Sequence, residues 1–231
     1  MNHAILPETT LAAIVRDEMM NPAGGVERFL RAALPHVEAA VVVDTGSVDG
    51  TQDVLSDLAK EYSHLKVYHR EWDNFAPSRN FSLSKVETKR VLVLDADEVI
   101  THADYQILAD YINKNPVWGY WFTFRNIYPD GIQMLNEYGV MNPRLFEVEG
   151  VKYEDGDEGA HGAYECIPLY HSKARTLDAP VEINHFMPSR EAKERKATNW
   201  YSNGEFLKTQ PSEAARIDGW KEFNGGRDLF D

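Results

Sequence analysis

Four short apolar runs, at residues 11–15, 39–44, 65–69 and 90–95, alternate with stretches of helical hydrophobic spacing, and this alternation restricts the fold most. Val26, Phe29, Leu30, Ala33, Leu34 and Val37 follow one helical face, and Val54, Leu55 and Leu58 mark a second. A loop with Trp72, Phe75 and Pro77 leads into a short helix expected from Arg79. Thr101, with Asp104 three residues later, resembles a capping arrangement ahead of a helix carrying Ile107, Leu108, Tyr111 and Ile112. Strands separated by helices imply an α/β fold with a parallel sheet covered on both faces. Right-handed crossovers then bring the strand C-termini to one edge.

From Trp118 the texture changes. Residues 119–125 and 143–148 read as strands joined through the Pro129-Asp-Gly131 turn, with no helix between them. Residues 150–163 are rich in glycine and acid, residues 181–186 read as another strand, and residues 189–209 as a polar, charged helix. Repeats and low-complexity linkers are absent. The expectation is one domain over residues 1–231, with a nucleotide-type half to about 117 and a mixed half from about 118.

Composition narrows the function classes. With 43% hydrophobic residues the 231-residue chain has enough apolar material for a core. The balance of 24 Lys+Arg against 37 Asp+Glu, a net charge of −13, argues against nucleic-acid binding, which needs a basic face. Cys166 is the single cysteine, which excludes an internal disulfide framework and a multi-cysteine zinc site. No run approaches the ~18 apolar residues of a membrane span, and Met1-Asn2-His3-Ala4 opens no signal-peptide pattern. A cytoplasmic protein is expected.

Acids cluster where ligands bind in open α/β sheets, beyond the strand ends. Asp44 closes the second apolar run and is followed by Ser47, Asp49 and Thr51; Asp95 and Asp97 close the fourth. An acid after the second strand suits ribose hydroxyls or a base edge. Two carboxylates one residue apart on a stiff strand end suit a divalent cation that also takes phosphate oxygens. Arg79 offers a positive fork for a diphosphate. Asp44 and Asp49 also fit an Asx-turn and helix cap, the favoured reading for Asp49.

The segments Asp44-Thr-Gly-Ser-Val-Asp-Gly-Thr51, Trp72-Asp-Asn-Phe-Ala-Pro-Ser-Arg-Asn80 and Leu92-Val-Leu-Asp-Ala-Asp-Glu98 together resemble family 2 glycosyltransferases. Arg16-Asp17-Glu18 is similar to the Asn-Glu-Glu after that family's first strand, with Asp17 in place of the usual Asn. Asn142-Pro-Arg-Leu-Phe146 and Asn184-His-Phe186 look like the family's acceptor-side strand and late histidine. The resemblance implies a GT-A fold, with a Rossmann-like nucleotide-binding half and a mixed acceptor-side half.

Carried over, it implies that Asp44 contacts the nucleoside, that Glu18 and Arg79 line its pocket, and that Asp95 reaches ribose or a metal-bound water. Asp97 would ligate Mn²⁺ or Mg²⁺ on the diphosphate, with His185 completing the site. The implied reaction moves one sugar from a nucleotide-diphosphate sugar, preferably a UDP-sugar, to a glycan, lipid-linked or other acceptor hydroxyl, with inversion. The Gln-x-x-Arg-Trp motif of processive members is missing, so a non-processive enzyme is expected. The catalytic base is expected in the second half: Glu165, bordering apolar Cys166-Ile-Pro-Leu169, with Asp157 and Glu158 as the next candidates. Two other classes compete. Asp95-Ala-Asp-Glu-Val99 fits the pattern of haloacid dehalogenase-like phosphotransferases, with Asp95 as nucleophile, and a non-catalytic nucleotide-sugar-binding module is the third reading.

Overall fold

The computed structural model describes residues 5–19, 21–128, 133–136, 142–155, 165–167 and 175–187. The first part contains β1 (Leu6–Val15), α1 (Val26–Ala33), a 3₁₀ turn (Leu34–His36), β2 (Val37–Asp44), α2 (Thr51–Glu61) and β3 (Leu65–His69). Then follow α3 (Phe75–Leu83), β4 (Arg90–Val93), β5 (Glu98–Val99) and α4 (His102–Lys114). The remaining elements are strands: β6 (Gly119–Ile127), β7 (Gln133–Asn136), β8 (Leu145–Glu147), β9 (Glu154–Asp155), β10 (Glu165–Cys166) and β11 (Thr176–Phe186). Residues 189–209, expected as a helix, lie outside the described residues.

The main sheet runs β3-β2-β1-β4-β8-β6-β11-β5, with β7 pairing β6. Strands β1 to β4 are mutually parallel, as the alternation predicts. Strand β8 enters antiparallel between β4 and β6, and β6 and β11 restore the parallel direction. Strand β4 is therefore paired on both edges, by β1 from the first half of the sequence and by β8 from the second.

The pleat sends alternate residues of β1 and β4 to opposite faces. Leu11, Ala13, Leu92 and Leu94 join Phe29, Leu30, Leu55 and Leu108 on the face that carries α1, α2 and α4. Ala12, Val91 and Val93 pack with Ala76 and Leu83 of α3, together with Phe146, Tyr153 and Ile167. Burial on both faces explains why these strands are continuous apolar runs.

Three boundaries differ from the sequence reading. Helix α3 starts at Phe75 rather than Arg79, because Asn74 caps it, its Oδ1 accepting from the Phe75 N–H at 2.9 Å. Pro77 fits inside the first turn, where the backbone N–H has no intrahelical partner to lose. Strand β1 begins before the apolar run, and its polar start is irregular, with Glu8 at φ 55°. Strand β11 likewise begins at Thr176, where paired register with β6 extends it through polar residues. The cap expected at Thr101 is present, its Oγ1 accepting from the Asp104 N–H at 3.2 Å.

Candidate functional site

Because β1 to β4 are parallel, Val15, Asp44, His69 and Val93 finish along one edge, and the loops after them converge there. Asp44 is 1% exposed. Its Oδ1 accepts from the N–H groups of Gly46 and Ser47, at 3.1 and 3.2 Å, and from Gln52 Nε2 at 2.9 Å. Gly46 has φ 107°, a region that glycine enters without the strain a side chain brings. His69 Nδ1 lies 3.7 Å from the same Asp44 oxygen. The second oxygen, Oδ2, is buried with no hydrogen-bond partner among the described residues. A buried carboxylate oxygen in that state is costly, and an incoming N–H donor would remove the cost.

The loop after β1 is tied to the same turn. Asp17, at φ 52°, donates its N–H to Ser47 Oγ at 2.9 Å, and its Oδ1 accepts from Val48 N–H at 2.7 Å. Burial raises the Asp17 carboxyl above its ordinary value, the Val48 N–H opposes the rise, and Asp49 adds to it. Glu18 is buried, its N–H donating to Thr51 Oγ1 at 2.9 Å and its carbonyl accepting from Val26 N–H at 2.9 Å. Asp49 takes the turn role, accepting from both the Thr51 N–H and hydroxyl.

The turn after β4 is braced by two arginines. Arg79, 3% exposed, pairs with Asp95 Oδ1. Arg144 reaches Asp95 Oδ2 at 3.4 Å and pairs with Glu98. Glu98, 1% exposed, also accepts from the Asp95 N–H at 3.0 Å. Burial works to raise the Asp95 carboxyl, but the Arg79 and Arg144 guanidiniums outweigh it and hold it well below the usual carboxylate range. Burial pushes Glu98 up, against Arg144. Arg79 thus braces the turn as one of two arginine partners of Asp95.

Asp97 and His185 meet from the two halves of the chain. Asp97 Oδ2 lies 3.9 Å from His185 Nε2, and the Asp97 carbonyl accepts from Phe186 N–H at 2.9 Å. His185 Nδ1 is 3.0 Å from Asn126 Oδ1 on the paired strand. With Asn126 Oδ1 as acceptor, Nδ1–H donates there and Nε2 faces Asp97. Both side chains are partly open, 22% and 27% exposed. No group of three or more His, Cys, Asp and Glu side chains converges as a metal cage among the described residues. A carboxylate and an imidazole with open positions nevertheless suit a cation whose remaining ligands are phosphate oxygens and water.

The candidate base is placed only by its backbone. Glu165 pairs with Asp155 in the β9–β10 ladder; its side chain, and all of Asp157 and Glu158, lie outside what is described. Asn126, Glu98 and Arg144 carry roles that local sequence did not reveal. Arg144 lies within the Asn142-Pro-Arg-Leu-Phe146 segment, whose strand pairs with β4. The site does not suit Asp95 as a nucleophile, since both its oxygens face guanidiniums.

The family model described as "Glycosyl transferase family 2" matches residues 26–167. A TPR repeat-containing protein of Synechococcus elongatus is 33% identical over 96 residues, 41% of this chain. That stretch is 22% of the relative, so the chain matches about a fifth of its length. The crystal structure of S. aureus TarS 1–349 superposes with a TM-score of 0.56 at 14% identity, covering 94% of this chain and 70% of that one. Its complex with UDP-GlcNAc gives 0.56 at 13% identity, covering 94% and 71%. The mannosyltransferase PcManGT of Pyrobaculum calidifontis, in complex with GDP-Man and Mn²⁺, gives 0.58 at 16% identity, covering 94% and 70%. At these identities the likeness concerns architecture, and the architecture is GT-A. No helix among the described residues is long and apolar enough to cross a membrane.

Proposed function

The chain belongs to glycosyl transferase family 2, and from that premise we propose that it transfers one sugar from a nucleotide-diphosphate sugar to an acceptor hydroxyl with inversion. The observation that carries the reading is the meeting of Asp97 and His185, 3.9 Å apart, beside the strand ends that also present Asp44. Asp97 and His185 would hold Mn²⁺ or Mg²⁺, and the bound ion supplies positive charge to the leaving diphosphate.

The chain's own groups do the rest. The Oδ2 of Asp44, which has no hydrogen-bond partner among the described residues, receives an N–H of the base, which suits the uracil N3–H of a UDP-sugar. Glu18 lines the pocket wall, its backbone fixed between the starts of α1 and α2. Arg79 and Arg144 keep Asp95 turned to one orientation for the ribose, at no reorganisation when the donor arrives. Glu165 takes the proton of the acceptor hydroxyl as its oxygen attacks the anomeric carbon. The acceptor is a glycan, lipid-linked or other hydroxyl compound, and the work is done in the cytoplasm. The complexes of TarS with UDP-GlcNAc and of PcManGT with GDP-Man and Mn²⁺ support a nucleotide-diphosphate donor.

Incubation with UDP- and GDP-sugars, with and without Mn²⁺, tests the proposal. Free nucleoside diphosphate and a glycoside of inverted configuration are expected. Donor at a hundred times Kd should also stabilise the fold by roughly 2.7 kcal/mol. Tight binding without turnover would favour a non-catalytic module.

A further inference from the structure

Tyr153 and Ile167, which flank the β9–β10 pair, are each held by an asparagine close in sequence to an arginine that grips Asp95. The Asn80 carboxamide takes both backbone groups of Tyr153. Its Nδ2 donates to the Tyr153 carbonyl at 2.8 Å, and its Oδ1 accepts from the Tyr153 N–H at 2.8 Å. A planar carboxamide offers a donor and an acceptor side by side, so this side chain substitutes for a neighbouring strand. Asn142 Oδ1 accepts from the Ile167 N–H at 2.6 Å. Tyr153 and Ile167 are 3% and 8% exposed, packed with Ala76 and Leu83 of α3, and between them β9 pairs with β10.

The covalent neighbours of the two asparagines are what give this arrangement a functional reading. Asn80 follows Arg79, which grips one oxygen of Asp95. Asn142 stands two residues before Arg144, which grips the other and Glu98. The segment bearing Glu165 is thereby tied to the turn bearing Asp95 and Asp97 by two short routes. We propose that Asn80 and Asn142 are positioning residues, which hold the base-bearing segment at a fixed distance from the metal-binding turn. Neither touches the reacting atoms. The proposal rests on the glycosyl-transfer reading above and adds to it what sets the spacing between base and donor.

The test uses the full chain with Asn80→Ala, Asn80→Asp and Asn142→Ala. Asn80→Asp keeps the shape but replaces the donor facing the Tyr153 carbonyl with an acceptor, so it serves should the alanine variant fold poorly. Three quantities are read: hydrogen exchange over residues 150–155, affinity for UDP with Mn²⁺, and the kcat and donor KM of sugar transfer. Losing both hydrogen bonds should speed exchange in Asn80→Ala by about tenfold, a factor equal to about 1.4 kcal/mol, and losing one should speed it less in Asn80→Asp. In all three variants kcat should fall about tenfold, with UDP affinity and donor KM within about twofold of wild type. Unchanged exchange in the Asn80 variants would remove the latch. Faster exchange with normal kcat would make the asparagines structural only, and a rise in donor KM to match the loss of kcat would place their effect on the donor side. Absence of transfer by the wild-type chain would overturn the glycosyl-transfer reading and the positioning role with it, while exchange would still decide whether the latch exists.

Discussion

His185 Nε2 stands 3.9 Å from Asp97 Oδ2, and Asn126 holds the other ring nitrogen at 3.0 Å. A carboxylate on a strand-end turn thus faces an imidazole whose orientation is fixed from behind. Asp97→Ala should abolish metal-dependent binding of UDP while leaving the fold intact. His185→Ala should weaken it less. Asn126→Ala, which frees the ring, should weaken metal-dependent affinity by roughly tenfold or more, the usual effect of losing such a support. Calorimetry with UDP and Mn²⁺ measures all three, and unchanged affinity in the Asp97 variant would remove the pair from the metal site.

Asp44 is the clearest test of the nucleoside end. Asp44→Asn keeps the shape but replaces a charged acceptor with an amide. UDP binding should weaken by about 1–3 kcal/mol, the usual cost of spoiling a hydrogen bond to a charged group. Equal affinity of the two proteins for UDP would place the base elsewhere.

Glu165→Gln should lower kcat by about 10²–10⁴-fold, the usual share of general-base catalysis, with donor affinity little changed. Steady-state transfer rates beside UDP affinity make the measurement. Near-normal turnover would move the base to Asp157 or Glu158.

His36 gives a pH prediction. It is 4% exposed, stacked on Tyr105 at 4.3 Å and 3.2 Å from the His102 ring nitrogen. Burial, with His102 adding, pushes its pKa down from 6.5 to about 4. The unfolded chain therefore binds this proton more readily, and stability falls as pH drops from about 6.5 to about 4. His36→Phe keeps the stack and removes the titration. The difference in unfolding free energy between wild type and variant should change by about 1–2 kcal/mol between pH 7.5 and pH 5, in the variant's favour at low pH. Urea denaturation at the two pH values checks it, and a constant difference would contradict it.

The first half of the fold was readable because burial on both faces leaves apolar runs, as in Val41-Val-Val43 and Val91-Leu-Val-Leu94. Strand β5 was not, since two residues, Glu98 and Val99, carry no period and pair only because β11 arrives beside them. The start of β11 was hidden for the same reason: Asp178 and Pro180 do not announce a strand. In the site, residues on strand-end turns such as Asp44 and Asp97 stand out by position. Arg144 and Asn126 do not, because their partners, Glu98 and His185, come from remote segments and no local pattern records the meeting.

The antiparallel placement of β8 between β4 and β6 has a consequence for synthesis. Until Leu145-Phe-Glu147 leaves the ribosome, β4 has an unpaired edge on the side away from β1. That edge belongs to an apolar strand, the kind that recruits neighbouring chains. Vectorial folding of β4 thus waits for a strand from the second half. Nascent chains paused between β6 and β8 should be the ones that most need a chaperone.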